Sequence, residues 1–190
     1  MKAIGKQLLG LEICILAGGL SARMGRDKSR VRLGRRTMLG HIRASARQLG
    51  FATRALRRDS ISRSGPIGGI YTALQRSKAD AVLFMACDMP FVSAKFLQRI
   101  VRALPPSGNA LFVREGGLAG FPCLLRRENC LPLVSQQIAR SELSLQALAK
   151  VLKARMLRPS RAGLRELTNI NTPEDLKTAR QRINRAKPSP

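Results

Sequence analysis

Ala81-Val82-Leu83-Phe84-Met85-Ala86-Cys87 is an unbroken apolar run that ends in Asp88-Met89-Pro90. A half-solvated strand alternates apolar and polar residues, whereas a strand buried on both faces reads as a continuous run. Such strands belong to sheets covered by helices on either side, so this run predicts a three-layer α/β fold with a mainly parallel, Rossmann-like sheet. Open α/β sheets bind ligands beyond the carboxyl ends of their strands, which is where Asp88 stands. Its carboxylate is a hard donor suited to Mg2+, an ion that takes one or two carboxylates together with substrate phosphates. Asp88 is also placed to cap a helix from Val92 to Leu104, and the residues alone leave both roles open.

A second apolar run, Leu11 to Leu16, is interrupted only by Glu12 and predicts the first strand. It leads straight into Ala17-Gly18-Gly19-Leu20-Ser21-Ala22-Arg23-Met24-Gly25-Arg26-Asp27-Lys28. Glycines let backbone N–H groups turn toward an anion without a Cβ in the way. Arg23 and Lys28 supply the positive charge that a triphosphate requires, one as a planar fork and the other as a point charge. Neither of the common glycine loops fits. The Walker loop needs Gly-Lys-Ser/Thr together, and here Arg26 and Asp27 separate Gly25 from Lys28. The dinucleotide fingerprint needs an acid about 20 residues on, and residues 36–50 contain none. By themselves the glycines equally describe a tight turn among solvated charges.

The chain has 190 residues, enough for one sizeable core, and its 44% hydrophobic content argues against disorder. Lys and Arg number 35 against 11 Asp and Glu, a net charge of +24 that raises the question of polyanionic ligands. The basic residues are spread along the sequence, and six Phe and one Tyr give no basic-aromatic interleaving for stacking bases. The charge therefore reads as solvated surface rather than a nucleic-acid site. Cys14, Cys87, Cys123 and Cys130 form no C-x-x-C pair and indicate a reduced, cytoplasmic protein without disulfides or zinc. Lys2 and Lys6 before Leu8–Leu20 imitate a secretory leader, but Glu12 breaks the apolar stretch. No run is long enough to span a membrane.

Residues 1–10 read as a basic extension, 11–186 as the domain, and 187–190 as a tail. Thr37 predicts the N-cap of a helix over about 38–49, on which His41, the single histidine, is read as a packing or surface residue. Phe51–Leu56 predicts a strand, and Gly65-Pro66 a turn that opens a helix. Asn109–Arg114 and Cys123–Arg126 predict two more strands, with Gly120-Phe121-Pro122 preceding the second. Leu131–Ile138 and Leu143–Leu152 read as helical, and Ala154–Leu157 as a short strand. Asn169-Ile170-Asn171 reads as a strand end. Thr172-Pro173-Glu174-Asp175 then starts a helix that runs to about Ala186.

Leu-Ala-Gly-Gly-x-Ser-x-Arg-Met-Gly-x-Asp-Lys over residues 16–28 resembles the signature loop of nucleotidyltransferases of the molybdenum cofactor guanylyltransferase (MobA-like) family. Gly65-Pro66-Ile67-Gly68-Gly69, Cys87-Asp88-Met89-Pro90 and Asn169-x-Asn171-Thr172-Pro173 are similar to later motifs of that family, in the same order. The resemblance implies transfer of GMP from GTP to the phosphate of molybdopterin or molybdenum cofactor, with Mg2+ and release of pyrophosphate. It implies nucleotide binding by Leu16, Ala17, Gly18, Gly19, Lys28, Asp59, Gly65, Pro66 and Asp88. It also implies a metal on Asp88 and catalytic roles for Arg23, Lys28, Asp88 and Asn171. Proteins that mature molybdoenzymes are further partners it suggests. Gly18-Gly19 with Gly65-Pro66 favours the guanylyl branch, since cytidylyl relatives usually carry Ala-Ala-Gly. The family's second strand often ends in an asparagine that touches the nucleotide, and Thr53–Leu56 has none. Two alternatives stand beside this reading: a cytidylyltransferase of the same family, and an inactive basic nucleic-acid-binding or regulatory protein on the same fold.

Overall fold

The computed structural model describes residues 10–18, 28–61 and 64–185. Its centre is the apolar run itself, which forms β5 (Ala81–Ala86) with every residue from Ala81 to Met85 buried. On one side β5 pairs in parallel with β1 (Leu11–Leu16), and β1 pairs in parallel with β4 (Ala52–Leu56). On the other side lie β7 (Leu118–Arg126), β6 (Ala110–Glu115) and the edge strand β8 (Arg155–Leu157). The six-stranded order is β4-β1-β5-β7-β6-β8. Only pairings that involve β7 are antiparallel, so β7 alone runs against the rest. The sheet is mainly parallel, as the runs predict.

Helices cover both sides. Helix α1 (Met38–Arg47) packs beside α3 (Ala94–Ala103), while α2 (Gly65–Arg76), α4 (Arg127–Ala139) and α5 (Leu145–Val151) pack together. Ile13, Ile15, Leu83, Phe84 and Phe112 are fully buried between them. Each such side chain contributes about 1.5–3 kcal/mol by leaving water. Thr37 caps α1 by accepting the Gly40 N–H at 3.0 Å. His41 packs locally, its Nε2 2.7 Å from the Leu33 carbonyl oxygen.

A smaller core stands apart from this one. Val31, Leu33, Met38, Ile170, Leu176 and Ala179 join the hairpin of β2 (Arg32–Leu33) and β3 (Arg36–Thr37) to α7 (Pro173–Arg185). It fastens two distant parts of the chain next to the carboxyl end of β5.

Two expectations need correction, and one element goes unpredicted. Pro122 lies within β7 rather than before it: Phe112 pairs with Cys123 and Val113 with Gly120, so Phe121 and Pro122 fall in a bulge. A bulge is where a strand tolerates a residue that lacks an N–H. Asn169 and Asn171 lie on no strand, because Ile170 donates its N–H to the Asp88 carbonyl oxygen (2.9 Å) and not to a sheet partner. Finally, α6 (Arg161–Glu166) is a short helix that the periodicity does not signal. No helix among the described residues is long and apolar enough to cross a membrane.

Candidate active site

The ends of β1 and β5 are held together by the backbone. Ala17 donates its N–H to the Leu56 carbonyl oxygen at 2.8 Å, and Cys87 donates to that of Leu16 at 3.1 Å. Just beyond, Gly18 is pressed against the end of β4: a Cβ there would lie 2.7 Å from the Arg57 carbonyl oxygen. Its missing side chain thus serves contact between two loops. The sequence alone suggested only ligand approach or a tight turn. Gly19 and Arg23 lie outside the described residues. The chain re-enters at Lys28, which opens a 3₁₀ turn, Lys28–Arg30, leading into β2.

Lys28 is the meeting point. Its Nζ donates to the Asn171 Oδ1 at 2.5 Å and lies 3.9 Å from the Asp88 Oδ2. The loop after β1, the end of β5 and the segment before α7 thereby converge on one ammonium group. Both charged side chains are largely enclosed, 16% exposed for Lys28 and 25% for Asp88. Burial pushes the Asp88 carboxyl above the ordinary carboxylate range, and Lys28 partly offsets that rise.

The helix that follows Asn171 fixes its position. The Asp175 Oδ2 accepts the N–H groups of Asn171 and Thr172, each at 2.9 Å, and Thr172 Oγ1 accepts the Asp175 N–H at 3.1 Å. This reciprocal box caps α7 while it clamps the backbone of the asparagine. The N–H groups of Asn171 and Thr172 hold the Asp175 carboxyl below its usual range, with Lys28 adding to the effect. Asp175 was legible as a helix starter but not as the anchor of Asn171.

Asp88 is not the cap of α3. Ser93 takes that place, accepting the Phe96 N–H at 3.2 Å. Instead, the Asp88 Oδ1 is buried without a hydrogen-bond partner among the described residues. A buried, unpaired carboxylate oxygen costs free energy unless something charged or protic reaches it. No group of three His, Cys, Asp or Glu that would cage a metal occurs among the described residues. One carboxylate beside an amide, short of a full protein cage, fits Mg2+, which keeps several waters and shares its remaining positions with substrate phosphates.

Leu16 and Ala17, at the end of β1, lie beside the end of β4; Asp59 follows β4, and Gly65 and Pro66 open α2. The Asp59 Oδ1 lies 3.3 Å from where a Cβ of Gly69 would be, and Leu16 lies against the same point. Burial raises the Asp59 carboxyl as well, although the residue is exposed overall. Gly65 adopts φ +52°, a left-handed conformation that glycine takes without strain. With Pro66 it is exposed, and nothing crowds its Cβ position.

The profile of the MobA-like NTP transferase domain matches residues 13–158. The chain belongs to the MobA-like NTP transferase family. It is 29% identical over 187 residues to the molybdenum cofactor guanylyltransferase of Pseudomonas putida, covering 86% of this chain and 94% of that one. A probable molybdenum cofactor guanylyltransferase of Flavobacterium johnsoniae is 26% identical over 177 residues, covering 85% and 92%. Among solved structures, molybdopterin-guanine dinucleotide biosynthesis protein A from Archaeoglobus fulgidus superposes with a TM-score of 0.68 at 19% identity, covering 92% of this chain and 99% of that one. The 2-C-methyl-D-erythritol 4-phosphate cytidylyltransferase of Thermus thermophilus superposes with 0.69 at 16% identity, covering 92% and 99%. Sheet order and helical layers thus belong to a nucleotidyltransferase fold. The profile ends before Asn171, so the Lys28–Asn171 contact ties a segment beyond the matched region to the first loop within it.

Proposed function

We propose that this MobA-like enzyme transfers GMP from GTP to the terminal phosphate of molybdopterin or its metal-loaded form. An acceptor phosphate oxygen forms a bond to the α-phosphorus, the bond between that phosphorus and the bridging oxygen to the β-phosphorus breaks, and pyrophosphate leaves. The observation that carries this reading is the placement of Lys28 Nζ between Asn171 and Asp88 at the carboxyl edge of the sheet. The names of the relatives support the acceptor and the base.

The attacking phosphate is already ionised, so no strong general base is required. Catalysis then consists of holding the two phosphates in line and stabilising the charge that develops. Lys28 supplies a fixed positive charge for the phosphates of the nucleotide, and Arg23 is assigned to the leaving pyrophosphate. Asn171 holds Lys28 in place, and Asp88 is assigned as the Mg2+ ligand. When bound, the metal supplies charge neutralisation at the phosphate oxygens. Asp59, beside the start of α2, offers a carboxylate to the N–H groups of guanine.

The test is label transfer from α-labelled GTP, CTP or ATP to molybdopterin in the presence of Mg2+. Transfer from GTP alone is expected. Transfer from CTP would keep the mechanism and move the enzyme to the cytidylyl branch. No transfer from any of the three by folded protein would refute the proposal.

A further inference from the structure

The basic residues, dispersed in sequence, gather around α7, which the small second core joins to the hairpin and a hydrogen bond joins to α6. Residues 32–37, 158–165 and 177–185 carry ten Lys or Arg and no Asp or Glu. All ten are exposed. The segments are in contact through their arginines. Arg180 Nη2 donates to the Arg32 carbonyl oxygen at 3.4 Å, linking α7 to the hairpin. Arg182 Nη1 donates to the Arg165 carbonyl oxygen at 2.7 Å, linking α7 to α6. Helix α7 is thus flanked on both sides by further basic segments.

The ion pairs Lys28–Asp88 and Arg54–Glu12 both lie away from this face. Of the acids nearest in sequence, two are occupied. Glu166 accepts the Ser93 N–H at 2.8 Å and Asp175 accepts those of Asn171 and Thr172, which leaves Glu174, exposed in the first turn of α7 three residues before Lys177, as one acid beside ten cations. A field of one sign repels itself and attracts a polyanion.

The chemistry of the face selects among polyanions. Nine of its ten cations are arginines, whose fork matches phosphate or carboxylate oxygens two at a time, so the choice between them rests on what surrounds the charges. A protein-binding face is built around an apolar, aromatic centre. Here Phe91 is already covered by the Arg182 guanidinium at 4.0 Å, and Leu164 is the exposed large hydrophobic residue in the patch. Without open aromatic rings there is no platform for unpaired bases, which disfavours single strands. We propose that this face binds duplex nucleic acid through its phosphate backbone, without reading sequence. This function is independent of nucleotidyl transfer.

The experiment is fluorescence anisotropy of the full chain with labelled RNA and DNA duplexes of unrelated sequence, over a range of salt concentrations. Arg35→Glu, Lys177→Glu and Arg185→Glu are combined in one variant. Arg102→Glu, Arg140→Glu and Lys150→Glu, on α3, at the end of α4 and on α5, give a control of equal charge change. The wild type should bind either duplex with log affinity falling linearly in log salt. The face variant should lose affinity about tenfold or more, and its salt slope should drop by about three. The control should stay within about threefold of wild type, as expected if its residues contact no phosphate. Absence of binding, or equal losses in both variants, would overturn the proposal. So would displacement by polyglutamate as effective as by duplex at matched charge, which would indicate an acidic protein instead.

Discussion

Lys28 and Asn171 lie 143 positions apart and are joined by a side-chain hydrogen bond of 2.5 Å, with the Asp88 carboxylate 3.9 Å from the same nitrogen. The chain closes on itself at this point, and the fixed charge is held by neighbours that are themselves clamped. Replacing Lys28 with Met removes the charge and keeps most of the stem. The transfer rate should fall about 10²–10³-fold, the scale of losing one preorganised electrostatic contact. Circular dichroism should stay unchanged. A rate within about threefold of wild type would move the essential cation elsewhere.

Asp175 clamps the backbone of Asn171, and its effect on the reaction is expected to pass through that residue. Asp175→Ala should lower turnover about tenfold in the wild-type background, yet have no further effect on the rate in an Asn171→Ala background. Its effect on stability, through the loss of a helix cap worth about 1 kcal/mol, should persist in both. A double-mutant cycle that measures turnover and unfolding together separates these roles. Additive losses of rate would show that Asp175 does not position Asn171.

Glu12, the polar interruption in β1, holds a structural network. It forms an ion pair with Arg54 and accepts a hydrogen bond from Ser77 Oγ at 2.5 Å, while Arg54 also donates to the Ala73 carbonyl oxygen at 2.6 Å. Both charged partners retain some exposure, 29% for Arg54 and 14% for Glu12, so the pair is worth less than a fully buried one. Glu12→Ala should cost about 1–3 kcal/mol in denaturant unfolding, chiefly by leaving Arg54 half-satisfied. The KM for nucleotide should not change.

These cases show what the sequence could and could not disclose. The run at 81–87 and the loop at 16–28 are local patterns, so the central strand, the sheet class and the family resemblance were readable from them. The neighbours of Glu12, and of Lys28, are set by strand order and by the second core, which no local pattern encodes. By the same limit the residues alone admit a helix-cap role for Asp88, a place that Ser93 holds in the structure. Likewise Phe121-Pro122 reads in sequence as a boundary, because proline suggests an end, and only the pairing with β6 shows that the strand continues past it.

Two glycines should respond to substitution in opposite order. At position 18 the obstacle is space, because a Cβ would meet the Arg57 carbonyl oxygen at 2.7 Å. Gly18→Ala should cost about 1–3 kcal/mol, and Gly18→Asn more. At position 65 the obstacle is φ +52°, with nothing within 4 Å of the added atom. Gly65→Ala should cost about 1–2 kcal/mol, and Gly65→Asn less, since asparagine accepts left-handed backbone more readily. Denaturant midpoints of the four variants check both orders.

The most direct test is calorimetric titration of GTP, with and without Mg2+, into the wild type and Asp88→Asn. The buried Asp88 Oδ1, which has no hydrogen-bond partner among the described residues, is assigned to the metal that accompanies the triphosphate. Mg2+ should strengthen GTP binding about tenfold or more in the wild type and have little effect on the variant. Equal strengthening in both proteins would contradict the assignment, because the metal would then be held somewhere other than Asp88.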